Sequence, residues 1–181
     1  MNTPMKNKLM MGGTLLLLAA IPAVAQDETN TNQKSIYRAN ELSVDGFGSA
    51  SLGKYTIDHL SGDRVYNNTR LGGGLGLDYF ITRYIGLDAE AYTENGSPTF
   101  VDSASANLLL RLPLGQSGFA PYALGGAGYR FDNVKAAFGE FGAGIEYRFT
   151  PNWGVFVDAR EVVPTETTTY GLARAGLKFS F

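Results

Sequence analysis

Eight segments of the chain alternate between apolar and polar residues with a period of two. Successive side chains of a β-strand point to opposite faces, so each segment predicts a strand with one apolar and one polar face. The last segment, YGLARAGLKFSF, keeps this alternation as far as Phe181. Most of the segments are roughly 10 residues long, the length a tilted strand needs to cross a bilayer. No long stretch has helical periodicity, so the pattern indicates an all-β fold.

The first residues predict an export signal that does not belong to the fold. Lys6 and Lys8 precede an apolar run around residues 15–21, and the small-residue motif Ala23-Val24-Ala25 follows. This order is typical of a secretory signal peptide, which we place at 1–25 with cleavage after Ala25. A retained anchor is the alternative, but the run is shorter than the roughly 20 residues that a spanning helix needs.

The domain organisation follows from where the alternation begins. Residues 26–40, QDETNTNQKSIYRAN, are polar and predict a flexible periplasmic N-terminal tail. Residues 41–181 hold the eight alternating segments and predict the barrel domain. The fifth segment, FAPYALGGAGYRF, is ambiguous because glycine and alanine hide its alternation. We place Tyr129 and Phe131 on its apolar face and Arg130 on its polar face.

The polar faces separate two architectures that both alternate, a soluble β-sandwich and a closed barrel. They carry acidic and basic residues in similar number, which would have to pair inside a small barrel because an isolated buried charge is costly. The predicted interior charge network consists of Asp78, Asp88, Glu90, Arg111, Arg130, Glu140, Glu146, Arg148, Asp158, Arg160, Arg174 and Lys178. Asp45 belongs to the same face.

Aromatic residues and connection lengths favour the barrel. One belt lies near the short connections, and we predict a membrane girdle of Tyr79, Tyr84, Tyr147, Phe149 and Trp153. A second belt near the longer connections comprises Tyr92, Tyr129, Phe131, Phe141 and Tyr170. Sheets span lipid only when they close, because every backbone polar group needs a partner. We therefore predict an eight-stranded antiparallel up-and-down transmembrane β-barrel, with both termini on the short-turn, periplasmic side.

Three stretches resemble the small outer-membrane β-barrel family of the OmpA type: PYALGGAGYRF, GAGIEYRFTPNWGVFVDAR and the terminal LKFSF. The resemblance covers Leu42 to Phe181 and includes no peptidoglycan-binding domain, so it implies no tether to the cell wall. It implies an integral protein of the bacterial outer membrane that contacts outer-membrane lipids. It also implies that the barrel assembly machinery reads Leu177, Phe179 and Phe181 as an assembly signal.

Three functions remain open from the sequence. The first is a structural or surface-interaction role, in which loops 54–69, 95–102 and 163–169 meet an extracellular partner. The second is a narrow or gated pore, although an eight-stranded barrel has an interior that side chains fill. The third is an enzyme that modifies lipid A, with His59 as base for Ser61. We expect no catalysis, because that pair lies in a polar loop with nothing to hold its geometry.

Composition excludes several other classes. The 15 basic and 17 acidic residues leave no positive surface for nucleic acid. The chain has no cysteine, which excludes disulfides and thiolate chemistry. We expect a monomer without cofactor or metal.

Overall fold

The computed structural model describes residues 36–52, 69–94, 100–131, 135–165 and 169–181, together with two short strands in the first long loop. These two strands, Thr56–Ile57 and Arg64–Val65, pair with each other. The predicted signal peptide and residues 26–35 of the predicted tail lie outside the described residues. Among the residues that are described, no helix is long and apolar enough to span a membrane.

Eight strands form one closed antiparallel barrel, which confirms the predicted fold. Each strand pairs with the next along the chain, and β1 pairs with β8 to close the cylinder. The strands are β1 (Glu41–Leu52), β2 (Arg70–Phe80), β3 (Ile85–Glu94), β4 (Ser103–Arg111), β5 (Phe119–Arg130), β6 (Ala136–Arg148), β7 (Trp153–Pro164) and β8 (Tyr170–Ser180).

Closure brings the two ends of the barrel domain together. Ser43 lies opposite Ser180 at one end of the β1–β8 ladder, and Leu52 lies opposite Gly171 at the other. The Ser43 and Ser180 hydroxyls are hydrogen-bonded at 2.8 Å, and the backbone N–H of Phe181 donates to the Leu42 carbonyl at 2.9 Å. The sheet consequently has no free edge, as the apolar core of a membrane requires.

Two tight turns use the same threonine device. Thr82 Oγ1 accepts hydrogen bonds from the backbone N–H groups of Tyr84 and Ile85, at 3.2 and 3.0 Å. Thr150 Oγ1 does the same between β6 and β7 for Asn152 and Trp153, at 3.3 and 2.9 Å. The hairpin sequences GLGLDYFITRYIGL and GAGIEYRFTPNWGV align with these two threonines in register. One local design therefore makes both turns.

The alternating apolar and polar residues of the sequence form the outer and inner faces of the barrel. Outward side chains such as Leu75 and Leu177 are largely exposed, whereas the charged residues between them are buried. On β5 the chosen facing is confirmed, because Tyr129 and Phe131 are exposed while Leu124 is buried. The second aromatic belt needs a correction: Tyr92 and Tyr170 belong to the interior, because they occupy inward positions of β3 and β8.

Apolar side chains fill part of the interior in two clusters. A small one near the short turns holds Phe80, Leu109 and Leu124. A larger one reaches toward the long loops and consists of Phe47, Tyr92, Phe138, Phe156, Val162 and Leu172. Tyr122 packs against both clusters, so it connects them through the middle of the barrel.

Candidate functional site: a layered polar interior

The charged residues inside the barrel form three layers along its axis. The short-turn layer contains Glu41, Arg111, Glu146 and Arg148. The mid-barrel layer contains Asp45, Asp78, Asp88, Glu90, Glu140, Asp158, Arg160, Arg174 and Lys178. The long-loop layer contains Arg70, Glu94, Asp102 and Arg130. Most of these side chains point inward because they occupy the inward parity of their strands. Asp102 lies just before β4, and Arg70 at the start of β2 is exposed.

In the short-turn layer one carboxylate serves two guanidinium groups. Arg148 donates to both oxygens of Glu41, with both N–O distances 2.7 Å. Arg111 Nη1 donates to Glu41 Oε1 at 3.1 Å, and Arg148 Nε donates to Glu146 Oε1 at 2.6 Å. Two acids and two bases therefore neutralise each other, partly through a bidentate pair of the stronger kind.

Tyr37 occupies the mouth of the barrel beneath this layer. Its ring centroid lies 4.5 Å from the guanidinium carbon of Arg111 and 4.6 Å from that of Arg148. Its hydroxyl donates to the Gly118 carbonyl at 2.6 Å. Burial raises the pKa of this hydroxyl, and the nearby Glu146 carboxylate raises it further.

The segment that carries Tyr37 is held to the barrel. Arg38 Nη2 donates to the Phe181 carbonyl at 2.9 Å, and Asn40 Oδ1 accepts from the Tyr79 hydroxyl at 3.2 Å. The polar sequence predicts a tail up to residue 40, whereas the structure packs residues 36–40 against the short-turn end. Tyr37 is 3% exposed, so this end of the predicted tail is part of the barrel's packing.

Two arginines organise the mid-barrel layer. Arg160 donates to both oxygens of Glu90, at 2.8 and 3.1 Å, and to Glu140 Oε1 at 3.1 Å. Arg174 donates to both oxygens of Asp158, at 3.0 and 2.7 Å, and also pairs with Glu90. The two arginines lie on adjacent strands, Arg160 on β7 and Arg174 on β8. Leu172 is opposite Arg160 and Asp158 is opposite Arg174, so the two arginines are diagonal neighbours.

The rest of this layer is less evenly paired. Lys178 forms an ion pair with Asp78. Asn107 Nδ2 donates to Asp88 Oδ2 at 2.9 Å and to Glu140 Oε1 at 2.8 Å. Asp45 and Asp88 form no ion pair within 4.0 Å in the part of the chain that the structure describes. Both line a cavity of about 20 Å³, which has room for about one water molecule.

A model of the outer membrane protein beta-barrel domain matches residues 13–181. The chain belongs to this outer-membrane β-barrel family. It is thus an integral outer-membrane barrel.

Solved structures of small outer-membrane barrels share the fold. The N-terminal β-barrel domain of Pseudomonas aeruginosa OprF is 17% identical, with a TM-score of 0.58 over 80% of this chain and 99% of that one. Neisserial surface protein A is 15% identical, with a TM-score of 0.56 over 79% and 98%. The attachment invasion locus protein Ail of Yersinia pestis is 15% identical, with a TM-score of 0.51 over 79% and 99%. No curated protein matches the chain.

The twelve predicted network residues all lie on the interior face of this outer-membrane barrel. Arg130 is half-buried and the other eleven are buried. Glu41, Glu94, Asp102 and Tyr37 are buried members of the polar interior that the predicted network lacks. Glu41 shares the parity of Ser43 and Asp45 on the first strand. Tyr37 lies outside any alternating segment, so no sequence signal indicated its burial.

The predicted girdle residues lie on the outer face of the barrel near the short turns. Tyr79, Phe149 and Trp153 are exposed, as is Tyr147, and Tyr84 is half-buried. Two of the three predicted assembly residues join this belt, because Trp153 packs on Phe179 and Phe179 on Phe181, each with ring centroids 4.9 Å apart.

The remaining chemical candidates fall elsewhere. His59 and Ser61 lie outside the described residues. Among the residues that are described, no group of three or more His, Asp or Glu side chains is arranged to hold a metal ion.

Proposed function

We propose that this outer-membrane barrel is a sealed anchor that presents its longer loops for surface interaction. The observation that supports the proposal is the filled interior. Charged layers and apolar clusters succeed each other from Tyr37 at the short turns to Tyr170 near the long loops. A general porin would need an open lumen, which eight strands are too few to provide.

The charge pairing of the interior argues for a scaffold that stays closed. Arg148, Arg160 and Arg174 each bind carboxylates from more than one strand. Arg111 donates to Glu41 and forms a longer ion pair with Glu146. Opening a passage would separate these pairs inside a water-poor interior, where removing one partner of an ion pair costs about 3–5 kcal/mol. The narrow or gated pore is therefore the weaker proposal.

Planar-bilayer recording of the purified barrel tests the sealed interior. We expect no wide, stable, ohmic channels from the folded protein. Boiled protein, which loses the fold, serves as the control for detergent artefacts. Reproducible ohmic channels from the folded sample alone would contradict the sealed anchor and favour the pore.

In this proposal the long loops lie on the cell surface, where a partner can reach them. Phe100, in the loop between β3 and β4, is 95% exposed. Because the chain has no cysteine, single cysteines report sidedness cleanly. Phe100→Cys should react with a membrane-impermeant maleimide on intact cells. Gln116→Cys, in the short connection before β5, should react only after the outer membrane is broken. The opposite pattern would place the long loops in the periplasm.

The proposal also covers how the protein reaches the outer membrane and whether it has an enzymatic role. Residues 1–25 act as the cleaved export signal, and Leu177, Phe179 and Phe181 guide the barrel assembly machinery. The protein works as a monomer in contact with outer-membrane lipids. It has no enzymatic role in this proposal, and unchanged lipid A masses in cells that overproduce it would agree with that assignment. Altered masses would revive His59 and Ser61 as a catalytic pair.

A further inference from the structure

Residues 36–40, here called the N-terminal latch, contact strand ends on both sides of the short-turn mouth of the barrel. On one side, the ring of Tyr37 lies against Arg111, the last residue of β4, and Arg148, the last residue of β6. The Tyr37 hydroxyl donates to the carbonyl of Gly118, in the turn before β5. Tyr37 is 3% exposed, so the mouth of the barrel covers this side chain almost completely.

The other latch residues bind the opposite half of the cylinder, where the two ends of the barrel domain meet. Arg38 Nη2 donates to the Phe181 carbonyl, directly after β8, at 2.9 Å. The backbone N–H of Arg38 donates to Glu41, the first residue of β1, at 3.3 Å. Asn40 Oδ1 accepts from the Tyr79 hydroxyl on β2 at 3.2 Å. The latch therefore joins the β4–β6 side of the barrel to both strands of the β1–β8 ladder and to β2.

The site that receives Tyr37 depends on closure of the cylinder. Arg111 and Arg148 lie beside one ring because both bind the carboxylate of Glu41, from which they are 70 and 107 residues distant in the chain. Glu41 reaches them across the lumen once β1 has taken its place in the barrel. The Arg38 bond to Phe181 spans 143 residues and likewise needs β1 beside β8. Contacts between such distant residues form late, because the entropy of loop closure opposes them.

Asn40 makes the bend between β1 and the part of the latch that lies under the mouth. Its φ is 52°, in the left-handed region, which glycine and asparagine adopt more readily than other residues and β-branched residues adopt poorly. The Asn40 side chain is exposed, so its backbone conformation, rather than burial, is what directs Tyr37 beneath the short-turn layer.

We propose that the N-terminal latch binds the barrel after the cylinder has closed, and that it then controls the rate at which the barrel unfolds. Its partners come together only when β1 has paired with β8, so the transition state of folding lacks the latch contacts. Interactions that form after the transition state slow unfolding and leave the folding rate nearly unchanged. This role does not depend on which partner the long loops bind.

The first test measures the folding and unfolding rates of residues 26–181 in detergent. Gel migration without heating follows the folded fraction after urea is diluted or added. We expect Tyr37→Leu to unfold at least about tenfold faster than the wild type, and to fold within about twofold of the wild-type rate. Tyr129→Leu is the matched control, because it makes the same change on the exposed outer face at the long-loop end. Both of its rates should stay within about twofold of the wild type.

The second test changes the bend and leaves Tyr37 in place. Asn40→Gly adopts a φ of 52° without strain and should unfold at nearly the wild-type rate. Asn40→Val is strained at that φ and should unfold several-fold faster, with an unchanged folding rate. The two variants are matched, because both lose the bond to Tyr79 and neither alters a buried side chain. This pair decides the matter if Tyr37→Leu fails to fold.

Trypsin reports whether the latch is bound. The Arg38–Ala39 bond should resist cleavage in the folded wild type and be cut in Asn40→Val while the barrel still migrates as folded. Equal cleavage of this bond in the two proteins would overturn the proposal, as would unchanged unfolding rates in Tyr37→Leu and Asn40→Val. Folding that slows in either variant by as much as unfolding accelerates would also overturn it, because the latch would then be bound already in the transition state.

Discussion

At the scale of single residues, the interior depends on side chains that join several strands. Glu41 on β1 binds Arg111 on β4 and Arg148 on β6, so one carboxylate ties three strands across the lumen. Its side chain is fully buried, whereas that of Arg38, which pairs with it from outside at 3.8 Å, is 44% exposed. Solvent screens the ion pair between Arg38 and Glu41 and makes it weak, whereas the buried pairs of Glu41 with Arg111 and Arg148 stay strong.

Replacing Glu41 with glutamine should destabilise the barrel strongly. The change leaves two buried guanidinium groups without their shared carboxylate, and we expect a loss of about 3–5 kcal/mol. Denaturant unfolding in detergent measures it. Arg38→Gln is the control and should cost less than about 1 kcal/mol, since it removes only exposed contacts, one to Glu41 and one to the Phe181 carbonyl. Similar losses in the two variants would show that burial does not govern these pairs.

Tyr37 should make stability fall in alkaline solution. Burial raises the pKa of its hydroxyl above the ordinary value of 10.0. Above pH 10 the unfolded chain therefore releases this proton while the folded barrel retains it, and stability declines with rising pH. Unfolding midpoints at about pH 8 and about pH 11 should differ less for Tyr37→Phe than for the wild type. An unchanged difference would mean that the hydroxyl titrates alike in both states.

At the scale of the strand, glycines on the inner face leave room for large polar side chains of the neighbouring strand. Gly126 on β5 lies opposite Asn107 on β4, the residue that bridges Asp88 and Glu140. A Cβ atom at Gly126 would lie 2.1 Å from the Ala106 carbonyl and 2.3 Å from Asn107 Oδ1. At Gly139 on β6, by contrast, the nearest atom would be 3.9 Å away.

Alanine substitution separates these two glycines. Gly126→Ala should destabilise the barrel by at least about 1–3 kcal/mol, because the added methyl group must displace backbone or the Asn107 amide. Gly139→Ala, on the neighbouring strand, meets only ordinary contacts and should be tolerated. The heat-dependent gel shift and denaturant unfolding measure both. If both alanine variants were equally stable, the strands around Gly126 could shift enough to accommodate the added methyl group.

At the scale of the whole molecule, closure depends on the last strand. Phe181 completes the β1–β8 ladder through the Leu42 carbonyl, accepts from Arg38, and stacks on Phe179. The same residue thus closes the cylinder, receives the segment that carries Tyr37, and extends the aromatic belt.

Deleting Phe181 should lower the amount of folded barrel in the outer membrane more than deleting Asn32 from the predicted tail. The first deletion removes ladder and belt contacts together, whereas Asn32 belongs to none of the alternating segments. The heat-modifiable fraction in isolated outer membranes measures the effect. Phe181→Tyr is the matched variant and should assemble nearly normally, since it keeps the ring. If the two deletion variants assembled equally well, Phe181 would not have the proposed role in assembly.

The amino-acid sequence by itself determined the eight strands, their two faces and their membrane setting. Alternation is a local property, so Asp158 and Arg160 could be assigned to the interior without knowing the fold. Which acid meets which base was decided only by tertiary structure. Glu41 and Arg148 are 107 residues apart, and barrel closure alone brings them together. Closure likewise buries Tyr37, which no local pattern marks. Such pairings depend on the register of several strands around the cylinder, which no single segment of sequence contains.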